Sequence, residues 1–363
     1  MRRVALVGTG LIGGSIGLAL RRVGSDVCAF DRNAARAARA KEVGAADEVA
    51  STLAEAVAGV DVVVVAVPVA QIADVVVEVL DAGAAAVTDV GSVKAPVVAE
   101  VEQLRPELAP RFVGGHPMAG SEQDGLDGAD ADLFVGSTWV LTPTERTTPA
   151  AFGAVRTLVA SVGAEVVAVG PEHHDALVAV VSHVPQLAAT TLMDVAATSG
   201  EHQATLLRLA AGGFRDMTRI AAGHPGIWPD ICVANREAIV DALDDYVDAL
   251  ERVRGLVVSS DRPGLLDLLE RARAARRSLP VGVPTGEGLV ELRVPVPDHP
   301  GVLADVTTLA GERGINIADL EIAHSMEGGG GVLVLVVGEN ADVDGFEAAL
   351  GERGYHCSRT SLP

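Results

Sequence analysis

Four groups of residues in this 363-residue chain sit in patterns that suit chemistry. His116 lies in "GGHPMAGSEQDG" (114–125), among glycine, proline and polar residues that suit neither a helix nor a strand interior. A histidine there is either solvated surface or a general base beside a ligand, because its side chain titrates closest to neutrality. Ser92, in "DVGSVK", ends an apolar run; its hydroxyl can orient a base, bond a substrate hydroxyl, or cap a helix. Lys94 beside it reads as a solvated first-turn residue. Arg215 and Arg219 stand one helical turn apart in "GGFRDMTRIA", where a guanidinium can hold a carboxylate through two parallel hydrogen bonds.

The fourth group is Gly8-x-Gly10-x-x-Gly13, in "VALVGTGLIGGSIG". It follows a predicted strand and opens a predicted helix, as a dinucleotide turn requires. Gly8 permits the tight turn, Gly10 lets backbone approach a pyrophosphate, and Gly13 allows close helix–strand packing. The helix N-terminus supplies N–H donors and the positive end of a dipole. Asp31 ends the second strand, where a carboxylate accepts the ribose hydroxyls and repels a 2′-phosphate, so NAD is expected as cofactor. Arg32 is its neighbour. Leu11, Ile12, Val67 and Pro68 complete the expected cofactor site.

Positioning these groups takes a scaffold. Short apolar runs at 4–8, "DVCAFD", "VDVVVVAVP", "AAAVTDVGSV" and "RFVGGHPM" alternate with helical patterns, which predicts a Rossmann-type, doubly wound parallel sheet, the α/β class, over residues 1–168. "STWVLTP" and "AEVVAVG" read as further strands. From 172 to 278 the apolar residues recur at helical spacing, predicting an all-helical domain over 169–280. "LPVGVPTGEG" (279–288) is a linker. Residues 288–363 read as a ferredoxin-like βαββαβ unit, with "MEGGGG" as a hairpin turn.

Bulk composition narrows the function. A net charge of −21 disfavours nucleic acid and anionic membranes as partners. Cys28, Cys232 and Cys357 are dispersed, with neither a disulfide framework nor metal-ligand spacing, so no metal is expected and a cytoplasmic location is. The apolar runs are broken by Pro68, Gln71 and Asp74, and no membrane span is read. "EHHD" (172–175) starts a helix and reads as capping and solvated surface.

The motifs "GTGLIGGSIG", "DVGSVK", "GGHPMAGSEQDG", "SHVPQL", "GGFRDMTRIA" and "IWPDICVANRE" together resemble the prephenate/arogenate dehydrogenase family of tyrosine biosynthesis, in order and spacing, over residues 1 to about 280. The resemblance implies NAD-dependent oxidative decarboxylation of prephenate to 4-hydroxyphenylpyruvate, or of arogenate to tyrosine. It implies His116 as catalytic base with Ser92 beside it. It implies a substrate site of Arg219, Arg215, His183, Gln186, Gly212, Trp228 and Ser121, with Arg215 either on a carboxylate or paired with Asp175 as a gate. His183 alone reads equally as packing, and Trp228 as core or cleft wall. Where the family commonly shows S-H-x-P-H, this chain has Gln186 in place of the second histidine, which leaves the prephenate–arogenate choice open. A homodimer through the helical domain is also implied. The tail resembles an ACT domain, which implies an amino-acid effector, tyrosine, near Asp298, Gly301 and Asn316. Two other readings compete. A β-hydroxyacid dehydrogenase would need a lysine base on the interdomain helix, and no lysine follows Lys94. A non-catalytic NAD and amino-acid sensor would not need His116, Ser92 and Arg219 together.

Overall fold

The computed structural model describes residues 3–120, 123, 125–198, 209–278, 289–297, 299–324, 330–338 and 341–362. The contacts divide them into two compact units, Met1–Arg252 and Val253–Pro363.

The first unit is built on an eight-stranded sheet of order β3-β2-β1-β4-β5-β6-β7-β8. Its strands are β1 (Arg3–Val7), β2 (Asp26–Phe30), β3 (Glu48–Val49), β4 (Val62–Val65), β5 (Val87–Asp89), β6 (Phe112–Pro117), β7 (Thr138–Thr142) and β8 (Glu165–Ala168). The unbroken apolar runs of β1 and β4 follow from burial on both faces. Val4, Leu6, Val62 and Val64 point into one core with Ile16, Phe134 and Trp139. Their alternates Ala5, Val7, Val63 and Val65 point into the other with Ile72, Val101 and Phe112, the period-2 signature of a strand. Helices α1 (Leu11–Arg22), α2 (Ala34–Glu42), α3 (Leu53–Val57), α4 (Ile72–Asp81), α5 (Ala95–Leu104) and α6 (Pro149–Ser161) connect the strands.

The sheet departs from the expected all-parallel arrangement at one place. β6 and β7 pair antiparallel, Gly114 opposite Thr142 and His116 opposite Val140, and β8 then runs parallel to β7. Among the described residues of 118–137 the one helical element is a short 3₁₀ turn, Leu126–Gly128, packed on α1. A parallel return would need a crossover helix, and the chain returns antiparallel.

After β8 the chain becomes helical. α7 (Pro171–Val178), a π turn (Ala179–His183) and α8 (Val184–Ala197) form one continuous run. The π turn lies just before Pro185, whose ring lacks an N–H and would collide with the carbonyl of residue 181 in a regular α-helix. By length and apolar composition alone, 171–197 could cross a bilayer. Its His174, Asp175 and His183 are nevertheless buried and hydrogen-bonded to other elements, the pattern of a core helix. Further helices span Gly212–Thr218, Trp228–Ala234 and Arg236–Val258. Residues 199–208 of the predicted helical domain lie outside those described, as does the whole 279–288 linker.

The second unit includes the helix Arg262–Arg277 and a four-stranded antiparallel sheet, order β10-β11-β9-β12. Its strands are β9 (Leu289–Pro297), β10 (Ile317–His324), β11 (Gly330–Gly338) and β12 (Ser358–Leu362), with helices Val302–Glu312 and Val343–Glu352. Val290, Leu292, Leu335, Val306 and Phe346 form its core. The element order is the βαββαβ that was expected. Most of the "MEGGGG" turn lies outside the described residues.

Candidate active site

The glycine-rich turn sits where β1 ends and α1 begins. Gly8 has φ +97°, a left-handed conformation that L side chains rarely adopt, and its N–H donates to the Phe30 carbonyl at 2.8 Å. A methyl at Gly13 would run into the Gly8 carbonyl, whereas the space beside Gly10 is open. Gly8, Gly10, Asp31, Arg32, Val67 and Pro68 line a cavity of about 440 Å³ together with Thr9, Arg36 and Gln71. Leu11, Ile12 and Gly13 form the first turn of α1 behind it. Asp31 Oδ2 accepts from the Thr9 amide at 2.9 Å and from Thr9 Oγ1 at 3.0 Å, and Oδ1 accepts from Asn33 N at 2.8 Å. The carboxylate is held at the pocket with acceptor capacity left for a ribose. An uncapped helix start, an open Gly10 and this acid fit a dinucleotide. Arg32 leans instead on Glu78 at 3.7 Å.

His116 is half-buried near the carboxyl end of β6. Both glycines before it are forced by close packing: a methyl on Gly115 would meet the Asp89 carbonyl at 2.6 Å, and one on Gly114 would meet Thr142 Oγ1. The "GGHP" run is therefore a strand end pressed against its neighbours. His116 Nδ1 lies 2.9 Å from His174 Nε2, and His174 Nδ1 lies 2.7 Å from Asp175 Oδ1. Burial, and then the nearby His174, Lys94 and His183, hold the His116 imidazole well below its ordinary value.

Asp175 is buried and fully engaged. Besides His174 it accepts from Lys94 N at 2.8 Å and Ala95 N at 2.7 Å, so it caps α5 from another helix. This removes two sequence-based expectations. Arg215 does not pair with Asp175 as a gate, because the carboxylate faces the protein interior. "EHHD" is solvated surface only at Glu172 and His173, because His174 and Asp175 are buried. The helix-cap reading of Ser92 also fails: α5 starts at Ala95 with Asp175 as its cap, and Ser92 stands half-buried in the loop before it.

Lys94 corrects a fourth expectation. It is completely buried and forms an ion pair with Asp89. Desolvation lowers its pKa despite that pairing. Asp89 in turn accepts from Gly91 N at 2.8 Å and Gly115 N at 3.0 Å. One buried carboxylate thus ties the Ser92 loop to the strand bearing His116.

His183 ends the π turn and is buried. Its Nδ1 lies 3.1 Å from Asn235 Nδ2, which also donates to the Asp175 backbone carbonyl at 2.9 Å. Nε2 has no hydrogen-bond partner among the described residues. Burial is the largest cause of a pKa of about 4, so the ring is neutral at working pH. Trp228 is half-buried and edge-on to His183, ring centroids 6.2 Å apart. The Trp228 helix packs on the 3₁₀ turn Val69–Gln71, just past the nucleotide-pocket residue Pro68.

Gln186 is buried on α8. Arg219 begins a 3₁₀ turn that packs on α8 and is itself exposed, as are Arg215 and Gly212 one helix earlier. Ser121 and Asp298 lie outside the described residues. Gly301 has φ +98° at the start of the Val302 helix, and Asn316 is exposed. Among the described residues no cluster suits a metal ion. Sequence reasoning missed Asp89, His174 and Asn235 as site residues. For His174 a signal existed in the "EHHD" run; for the others only the fold supplies partners from distant segments.

The chain is similar to known proteins. The family model for the nucleotide-binding domain of prephenate dehydrogenase matches residues 16–168, and that for its dimerization domain matches 170–271. A model for an ACT domain like that of the AHAS small subunit matches 292–352. The chain is 34% identical to a prephenate dehydrogenase of Bacillus subtilis (strain 168), over 91% of this chain and 90% of that one. It resembles a structure of prephenate dehydrogenase from A. aeolicus in complex with hydroxyphenyl propionate and NAD+, with TM-score 0.70, 32% identity, and coverage of 76% and 97%. It also resembles an arogenate dehydrogenase of Synechocystis, with TM-score 0.67, 30% identity, and coverage of 76% and 98%.

Proposed function

The chain belongs to the prephenate dehydrogenase family, and on that premise we propose that it oxidatively decarboxylates prephenate to 4-hydroxyphenylpyruvate with NAD, using His116 as general base. The observation that carries this reading is the hydrogen-bonded series His116–His174–Asp175 at the carboxyl edge of the sheet, where ligands of such folds bind.

NAD fits the Gly8–Gly13 turn and Asp31, and when bound supplies the hydride acceptor. This chain's residues supply proton handling and orientation. The carboxylate of Asp175 only accepts, so His174 donates from Nδ1. A neutral ring that donates there has only a lone pair at Nε2, so His116 donates to it from Nδ1. His116 Nε2 then carries a free lone pair, which takes the proton of the substrate's ring hydroxyl as hydride leaves the carbon bearing it. The ring carboxylate departs as CO₂ and its bonding pair aromatises the ring. Ser92 orients that hydroxyl. Arg219 holds one substrate carboxylate and Arg215 a second, Gly212 lets backbone approach the ligand, Trp228 forms a wall, and Ser121 belongs to the same proposed site.

Arogenate is the second reading, favoured by Gln186. Its buried amide both donates and accepts without charge, so it suits an amino acid as well as a keto acid. Following NADH formation with each substrate separately tests both; activity with neither overturns the dehydrogenase reading.

The chain forms a homodimer in this proposal. The long helices expose Val180, Val181, Val195, Val240 and Val247, an apolar surface that a second copy would cover. Tyrosine is the proposed effector of the ACT-like domain, near Asp298, Gly301 and Asn316. The proposed compartment is the cytoplasm, where the three free thiols stay reduced.

A further inference from the structure

Resting on the dehydrogenase reading, we propose that Asp175 is a positioning hub that fixes His116 and His183 in opposite tautomers, making one ring a base at Nε2 and the other a donor at Nε2. Two chains of hydrogen bonds leave this one residue. Its carboxylate governs the first: Asp175 Oδ1 lies 2.7 Å from His174 Nδ1, and His174 Nε2 lies 2.9 Å from His116 Nδ1, so with both rings neutral each carries its proton on Nδ1. His116 is left with a lone pair at Nε2.

Its backbone carbonyl governs the second. A carbonyl only accepts, so the Asn235 atom 2.9 Å from it is the amide nitrogen, and the amide cannot be flipped. The other hydrogen of that Nδ2 points to His183 Nδ1 at 3.1 Å, which must accept. The proton of neutral His183 therefore sits on Nε2, the buried nitrogen with no partner among the described residues. A buried unmet donor is destabilising, and an acceptor oxygen on the substrate would remove that cost. Two identical side chains thus receive complementary roles, proton acceptor and hydrogen-bond donor.

The backbone of Asp175 is fixed independently, because its carboxylate caps α5 through Lys94 N and Ala95 N. The groups facing His116 are His174, Lys94 and His183, with Asp89 one bond away on Gly115 N. Those facing His183 are Asn235, Trp228, His174 and Asp175. Of these, Asp175 alone bonds into both imidazole chains.

The direct test is ¹⁵N-histidine NMR of the full-length protein at neutral pH, with resonances assigned by loss in H116N and H183Q. His116 should carry its proton on Nδ1 and His183 on Nε2. The same tautomer in both rings, or an Nε2 proton on His116, overturns the proposal. This readout needs no activity, so inactivity toward both substrates would sink the dehydrogenase reading alone.

Kinetics give a second arm. Asp175→Asn keeps an acceptor for the α5 cap but removes the anion that supports a protonated His116. It should lower kcat about 10–100-fold, leave KM within about threefold, and move the acidic limb of kcat/KM to lower pH. His174→Gln, whose amide oxygen still accepts from His116, should retain more activity than His174→Phe. A folded D175N with unchanged kcat and an unmoved limb contradicts the hub; a role only in structure would lower stability and leave the limb in place.

Discussion

In the proposed NAD site, Asp31 would select the cofactor by how it is held as well as by its charge. Thr9 and Asn33 fix both carboxylate oxygens at the rim of the cavity, and Arg32, the residue that would welcome a 2′-phosphate, is drawn toward Glu78 and Gln71. Asp31→Ser should therefore raise the KM for NAD about tenfold or more and narrow the preference over NADP, measured as kcat/KM for each, a loss of about 1.4 kcal/mol per factor of ten. Unchanged use of NAD would show that the acid does not read the ribose. Asp31 and His116 were legible in the sequence because their signals are local: a glycine spacing after a strand, and a histidine in a glycine–proline run. The residues that tune His116 were not. Lys94 looked solvated and His174 looked like surface: their carboxylates Asp89 and Asp175 are near in sequence, but the contacts of α5 with Asp175 and of His116 with His174 exist only in the fold.

At the scale of elements, β1 and β4 were legible as short unbroken apolar runs, the mark of strands buried on both faces. The reversal at β7 was not, since parallel and antiparallel neighbours read alike in sequence. The π turn was equally hidden, although Pro185 marks its place. That turn commits His183 to a buried neutral state, and the sign of the consequence is fixed. Its folded pKa, about 4, lies below the ordinary 6.5, so it supports the fold fully above pH 6.5 and less as pH falls toward 4, where the unfolded chain binds a proton that the folded one refuses. The expected loss from this ring between pH 7 and pH 5 is about 2 kcal/mol. Urea midpoints at the two pH values should thus differ more for wild type than for His183→Gln. Equal differences would mean that the ring is charged or solvated in the folded protein.

At the scale of the molecule, a chain with net charge −21 must gather positive charge where a dianionic substrate binds, and in the proposed site Arg219 and Arg215 would supply it. The C-terminal unit has its own core of Val290, Leu292, Val306, Leu335 and Phe346, so removing the chain beyond about residue 284 should leave a folded dehydrogenase. Tyrosine should inhibit the full chain and fail to inhibit the truncated one. Equal insensitivity in both would remove the effector role and leave the unit a part in assembly. All of this presupposes that His116 takes the proton. The measurement that bears on it most directly is the steady-state pH profile of wild type and His116→Asn with NAD and prephenate. Wild type should show an acidic limb in kcat/KM below pH 6.5, because burial depresses the free base. H116N should lose about 10²–10⁴-fold in kcat with KM little changed, and lose that limb. A variant that keeps wild-type kcat, or keeps the limb, would show that another group removes the proton.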